Sequence, residues 1–143
     1  TYLTSRGSWY NTSWKGNENK SGGVATNIGV HFFDMLGWLF GDLELNTVTK
    51  REHDVAAGFL EFKKARVNWF LSTNSDFLPK SALENGQTTH RSITIDGHEI
   101  EFSGGFTDLH NLVYKDILSG NGYGLKDARA AIEIVHQIRN YKI

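Results

Sequence analysis

The segment Ala56–Ser72, AAGFLEFKKARVNWFLS, reads as two β-strands folded back on one another. Apolar residues alternate with polar or small ones on both sides of Lys63-Lys64, the pattern of strands that bury one face. The spacing predicts strands over Val55–Phe62 and Ala65–Ser72 with the lysine pair as their turn. A second hairpin is expected at Asp96-Gly97, a strong type I′ pair, between strands Arg91–Ile95 and Glu99–Phe102. Leu45–Glu52 reads as a further strand, and Tyr2–Tyr10 as a short strand leading into a loop. Phe77–Asn85 reads as a loop. Helical spacing marks Val24–Phe40, Phe106–Leu118 and Lys126–Tyr141. In the last of these, Ala128, Ala131, Ile132, Val135 and Ile138 recur at intervals of three and four. Hairpins make the sheet mainly antiparallel, and helices segregated before and after it give the α+β class. The expected architecture is an open sheet with helices on one face.

Composition narrows the function. The 143 residues are 39% hydrophobic and 13% aromatic, enough for one domain with its own core. A net charge of -1 points to neither nucleic acid nor an anionic membrane surface as partner. There is no cysteine, which excludes a disulfide framework and thiolate chemistry and fits a reducing, cytoplasmic setting. The longest apolar run, Val24–Phe40, is interrupted by polar groups and short for a membrane span. The chain starts at Thr1 and its only methionine is the internal Met35. We therefore expect residues 1–143 to be a single domain of a longer protein.

The apolar run poses the functional question. Gly22–Gly41, GGVATNIGVHFFDMLGWLFG, carries Asn27, His31 and Asp34 among greasy residues. Their spacing of four and then three places them on one helical face. A buried amide or imidazole without a partner costs on the order of 1–3 kcal/mol, so the stripe needs partners or solvent. Two readings are open. His31 is a satisfied buried histidine held by Asn27 or Asp34, or it is an acid–base group lining a cleft, since histidine can both give and take a proton near neutrality. The Ser21-Gly22-Gly23 lead-in suggests flexible backbone, with free N–H groups at the helix start suited to an anion.

The loop before this helix, RGSWYNTSWKGNENKSGG, concentrates Arg6, Trp9, Tyr10, Trp14 and Lys15. Flat aromatic faces pack on sugar rings, and an arginine fork grips phosphate or carboxylate. The aromatics serve equally well as core or interface anchors, and Lys15 as a solvated charge.

Taken together, SGGVATNIGVHFFD and TSRGSWYNTSWKG resemble the Gfo/Idh/MocA dehydrogenases. Within them they look most like the bacterial UDP-2-acetamido-2-deoxy-glucuronate 3-dehydrogenases of surface-polysaccharide synthesis. The resemblance is dense over Tyr2–Gly41 and thinner to the C-terminus. It implies that this chain is the C-terminal substrate and oligomerisation domain, with NAD bound mainly by an N-terminal domain outside residues 1–143. It implies His31 as the catalytic histidine, with Arg6, Asn27, Trp9, Tyr10 and Lys15 around a UDP-sugar substrate. Asn27 stands where the wider family often has aspartate, which argues against a polyol substrate. The resemblance also implies a homo-oligomer, a tetramer in the full-length protein, built through the open sheet face where Phe59, Val67 and Trp69 are expected.

Other motifs carry less. Ser119–Gly124, SGNGYG, lacks dinucleotide-fingerprint spacing and follows a helix, so it reads as a helix terminator. Asn11–Ser13 fits a glycosylation acceptor that a cytoplasmic chain would not use. His53, His90, His98, His110 and His136 lack metal-ligand spacing, so no metal site is expected. The competing functions are a non-catalytic carbohydrate-binding module using Trp9, Tyr10 and Trp14, and a purely structural assembly domain.

Overall fold

The computed structural model describes residues 1–105 and 108–143. The chain opens with strand β1 (Tyr2–Thr4), then crosses a compact loop holding helix α1 (Trp9–Thr12), a 3₁₀ turn at Trp14–Gly16 and helix α2 (Glu18–Ser21). A π-helical turn at Ala25–Gly29 runs directly into α3 (Val30–Phe40). Strands β2 (Leu43–Arg51), β3 (Val55–Phe62) and β4 (Ala65–Ser72) follow as a meander. Then come α4 (Lys80–Glu84), β5 (Thr89–Ile95), β6 (His98–Glu101), α5 (Leu109–Leu118) and α6 (Leu125–Asn140). Both hairpins form as expected. Phe62 faces Ala65 across Lys63-Lys64, and Asp96 and Gly97 both adopt positive φ, at 50° and 81°.

One six-stranded sheet results, in the order β2-β3-β4-β1-β5-β6, and the α+β class holds. The short opening strand is its middle. It pairs in parallel with β4 and antiparallel with β5, so chain segments distant in sequence meet across three residues. The helices π-α3 and α6 cover one face. Ala56, Leu60 and Phe62 of β3, with Val67, Trp69 and Leu71 of β4, point toward them into the core. Phe33 meets Trp69 edge to face at 5.4 Å, and Phe32 stacks between Tyr2 at 5.2 Å and Phe102 at 5.6 Å. Each such buried ring contributes roughly 1.5–3 kcal/mol.

This alternation corrects the expectation for the open face. Phe59 lies on it, opposite Thr47 and Asn68, whereas Val67 and Trp69 face inward. Adjacent positions on a strand point to opposite faces, so Phe59 cannot share a face with both partners of Leu60 and Gly58. Further corrections concern the loops. Tyr2–Tyr10 stays strand only to Thr4, and Phe77–Asn85 contains α4, with Pro79 at its N-cap where a missing N–H costs nothing. The expected helix Phe106–Leu118 is helical over Leu109–Leu118; positions 106 and 107 lie outside the described residues. Helix α5 is exposed along its whole length, Leu112 and Ile117 included.

The α6 C-terminus is closed by Arg51 of β2. One guanidinium nitrogen, Nη1, donates to the carbonyls of Ile138 (2.8 Å), Arg139 (2.9 Å) and Tyr141 (3.0 Å). They lie in and just past the last turn, where a helix leaves carbonyls short of partners, although Ile138 also accepts from the Tyr141 amide at 3.3 Å, and the cation meets the negative end of the helix dipole. Arg51→Met keeps the apolar stem and removes the donors, and should destabilise the fold by about 1–3 kcal/mol in urea unfolding. A loss below about 0.5 kcal/mol would show that water serves those carbonyls equally well.

Candidate functional site

The aromatic loop is a built structure. Ser13 Oγ donates to the Tyr10 carbonyl at 2.8 Å, Asn17 caps α2 by accepting from the Lys20 amide, and the Arg6 amide donates to the Thr73 carbonyl. Ser21-Gly22-Gly23, expected to be flexible, is a fixed corner. Gly22 and Gly23 both take left-handed φ, at 81° and 79°, and Gly22 terminates α2 by bonding back to the Glu18 carbonyl. A Cβ on Gly22 would sit 2.5 Å from Thr26 Oγ1, which itself donates to the Gly22 carbonyl. The Thr26 hydroxyl thus closes the corner onto the Gly22 carbonyl, while no side chain caps the N–H groups of the π turn.

The π turn contains Asn27 and places it over the loop. Asn27 Nδ2 donates to the Lys15 carbonyl at 3.3 Å, and its side chain also hydrogen-bonds the Tyr10 hydroxyl. Tyr10 is buried to 5% exposure. Desolvation raises its pKa, while the nearby Arg6 charge and the Asn27 bond work in the opposite direction. Tyr10 is therefore a support for Asn27 rather than part of a flat platform. Trp9 and Trp14 remain more than half exposed; Trp9 meets Tyr10 edge-on at 5.9 Å, and Lys15 Nζ lies 5.8 Å from the Trp14 ring centroid. The loop thus brings Arg6, Tyr10 and Asn27 together and leaves Lys15 with Trp14.

One turn beyond Asn27, His31 projects from the first turn of α3. It is exposed and makes no hydrogen bond or ion pair among the described residues. The satisfied buried histidine is thereby excluded. Asp34 is exposed as well and does not orient the ring. Two grooves, of about 670 and 580 Å³, are lined by other residues, and His31 is exposed outside both. Sequence reading missed Ser13 and Thr73, which fasten the loop; a single hydroxyl and a main-chain carbonyl leave no periodic trace. It also missed the π turn, a form common at functional sites but without a residue signature.

Residues 1–82 match the oxidoreductase family, C-terminal alpha/beta domain (GFO_IDH_MocA_C). The chain belongs to the Gfo/Idh/MocA oxidoreductase family. The match contains every element described above for the site. Two solved structures of the WlbA (WbpB) dehydrogenase from Thermus thermophilus are similar to this Gfo/Idh/MocA chain. One, in complex with NAD and alpha-ketoglutarate, is 51% identical with a TM-score of 0.93. The other, in complex with NAD and UDP-GlcNAcA, is 48% identical with a TM-score of 0.92. Each match covers 99% of this chain and 46% of the related one, so the chain spans less than half the length of these relatives. Among the described residues there is no strand–Gly-rich turn–helix unit to cradle a dinucleotide. The residues linking α5 to α6 join two helices, and β1 leads into α1 through Ser5–Ser8, which holds a single glycine. These residues do not fit a dinucleotide site.

Proposed function

We propose that this chain is the substrate-binding and oligomerisation domain of a longer, cytoplasmic NAD-dependent dehydrogenase that oxidises the C3 hydroxyl of a UDP-N-acetylglucosaminuronate-type sugar for lipopolysaccharide or O-antigen synthesis. The observation that carries the reading is the unencumbered His31 beside a braced Asn27. It is supported by 48% identity over nearly the whole chain to a dehydrogenase in complex with UDP-GlcNAcA. Oxidation of a secondary alcohol needs a base for the O–H proton, and His31 is assigned that role for a substrate lying over α3. Asn27, fixed by Tyr10 and the Lys15 carbonyl, holds a sugar hydroxyl or amide in register with that base. Arg6 supplies charge for the acidic part of the substrate, and Trp9 and Trp14 offer faces for the sugar and base. Among the described residues none forms a cradle for the hydride acceptor, and its share of the chemistry is assigned to the remainder of the protein.

Titration of the full-length protein with UDP-N-acetylglucosaminuronate and with plain oligosaccharides tests this directly. Arg6→Ala should weaken the nucleotide sugar by about 10- to 100-fold, the value of a charge-assisted hydrogen bond. Binding of oligosaccharides with indifference to the nucleotide sugar would instead favour the carbohydrate module, a reading that the exposure of Trp9 and Trp14 keeps in play.

Assembly is proposed through the open sheet face, where Phe59 stands near Leu45 and the Arg66–Glu61 ion pair. Leu45 is 48% exposed beside Phe59, and apolar residues that adjoin on an uncovered face, rather than one leucine alone, are what a second copy would cover. Phe59→Asp in the full-length protein should move sedimentation from a tetramer to smaller species. An unchanged coefficient would place the interface elsewhere.

A further inference from the structure

The aromatic loop and the β2–β3 turn leave the sheet at the same end. Leu3 of β1 lies opposite Ser72, the last residue of β4, while Val55 at the start of β3 faces Ser72 and Arg51 at the end of β2 faces Ala56. The turn Glu52–Asp54 is closed by the Glu52 amide, which donates to the Val55 carbonyl at 2.8 Å. It is tied to the loop through Thr73: the Thr73 amide donates to the Asp54 carbonyl at 2.9 Å, and the Arg6 amide to the Thr73 carbonyl at 3.3 Å. Side chains meet as well. Glu52 and His53 line one small crevice with Tyr10, Lys15 and Glu18. The crevice holds about 20 Å³, room for a single water, so a larger ligand meets these side chains across its mouth.

His53 is a histidine with a seat and no task in the fold. Its side chain is 72% exposed, yet Nδ1 lies 3.3 Å from Asp54 Oδ1. Asp54 is itself fixed. Its Oδ2 accepts from Asn74 Nδ2 at 3.1 Å, and its carbonyl also accepts from the Ser72 hydroxyl at 2.9 Å. A carboxylate against Nδ1 favours the proton on that nitrogen and leaves Nε2 to a partner outside. The charges around the crevice sort themselves. Glu52 pairs with Lys50 at 3.3 Å and Glu18 with Arg51 at 3.9 Å. Lys15 and Arg6 have no carboxylate partner among the described residues; Lys15 lies over the Trp14 ring, and the Arg6 charge acts on the Tyr10 hydroxyl. In a chain of net charge -1, two unmatched cations near one buried tyrosine make a local positive focus.

We propose that His53 is a further ligand-binding residue, which with Lys15 holds the diphosphate of the nucleotide sugar across the mouth of the crevice, Nε2 toward a phosphate oxygen. The inference rests on the nucleotide-sugar reading above and deepens it. There Arg6 serves the acidic group of the sugar and the two tryptophans serve flat faces; the diphosphate is the remaining charged part of the ligand. Glu18 and Glu52 face the same crevice and would repel a phosphate, and their pairing with Arg51 and Lys50 offsets that repulsion. A ring already seated against Asp54 also gives up less freedom on binding than an unattached surface side chain.

Titration of the full-length protein with UDP and with uridine tests this. His53→Ala should weaken UDP by about tenfold or more, the value of a hydrogen bond to a charged group, and leave uridine unaffected. The melting temperature should stay where it is, because the side chain is exposed. His53→Gln keeps an N–H group near the place of Nε2 and should recover most of the affinity. Unchanged UDP affinity in the alanine variant would overturn the proposal. An equal loss for uridine would put His53 on the base, and a fallen melting temperature that glutamine does not restore would make it a structural residue; either result also overturns it. Wild-type protein indifferent to both UDP and UDP-N-acetylglucosaminuronate would sink the nucleotide-sugar reading and this inference with it, whereas wild-type binding that the alanine variant retains in full removes His53 alone.

Discussion

Replacing His31 by alanine in the full-length protein is expected to lower kcat by about two to four orders of magnitude and to leave the melting temperature within a degree or two. Each half of that expectation has its own cause. The ring is exposed and bonded to nothing among the described residues, so its removal opens no cavity and orphans no buried group. Alanine is also the better helix former, by a few tenths of a kcal/mol. The expected catalytic loss follows from removing the imidazole proposed to take the alcohol proton. Because that interaction strengthens only as the proton leaves, kcat and kcat/KM should fall together, with little change in affinity for the nucleotide sugar. Wild-type turnover in the variant would remove His31 from the chemistry. Unfolding of the variant would contradict the exposed position on which the reading depends.

Gly58→Ala is expected to destabilise the fold by about 3 kcal/mol, the upper range for overpacking a core. A Cβ there would lie 2.2 Å from the Thr47 carbonyl oxygen and 2.7 Å from Trp69 Cζ2. The first contact is with backbone that is itself part of the β2–β3 ladder, and the second with a ring wedged against Phe33, so neither neighbour can yield cheaply. Relief would require shifting β2 beside its bulge between Val48 and Lys50. Gly37→Ala is the matched control. It lies inside α3, its added Cβ meets nothing within 4 Å, and alanine should stabilise by up to about 1 kcal/mol through helix propensity. Urea melts of the pair read both signs at once. A neutral Gly58→Ala would mean that Gly58 and Trp69 are not neighbours across the sheet.

The family segment and the hairpins were legible because their determinants are local. The lysine pair between two alternating runs, the Asp96-Gly97 turn and the three-and-four spacing in α6 each need only neighbouring residues to be recognised. Asn27 and His31 were legible for the same reason, as polar breaks in an apolar helix. Their circumstances were not. Asn27 is held by Tyr10 and by the Lys15 carbonyl, contacts that exist only once the loop has folded back over the π turn, and neither partner is set at helical spacing. Three aromatics in one loop looked alike in sequence, yet Tyr10 is buried while Trp9 and Trp14 are not; which ring turns inward depends on what the loop meets.

Sequence alone determined the α+β class, both hairpins, most of the helix and strand positions and the two polar residues of the candidate site, since each is written in the periodicity of short stretches. Tertiary structure alone decided that a three-residue strand is the centre of the sheet, that Val67 and Trp69 face inward while Phe59 does not, and that His31 stands free. Those outcomes depend on which face of each element finds an apolar partner, and that is settled by segments tens of residues apart meeting in space.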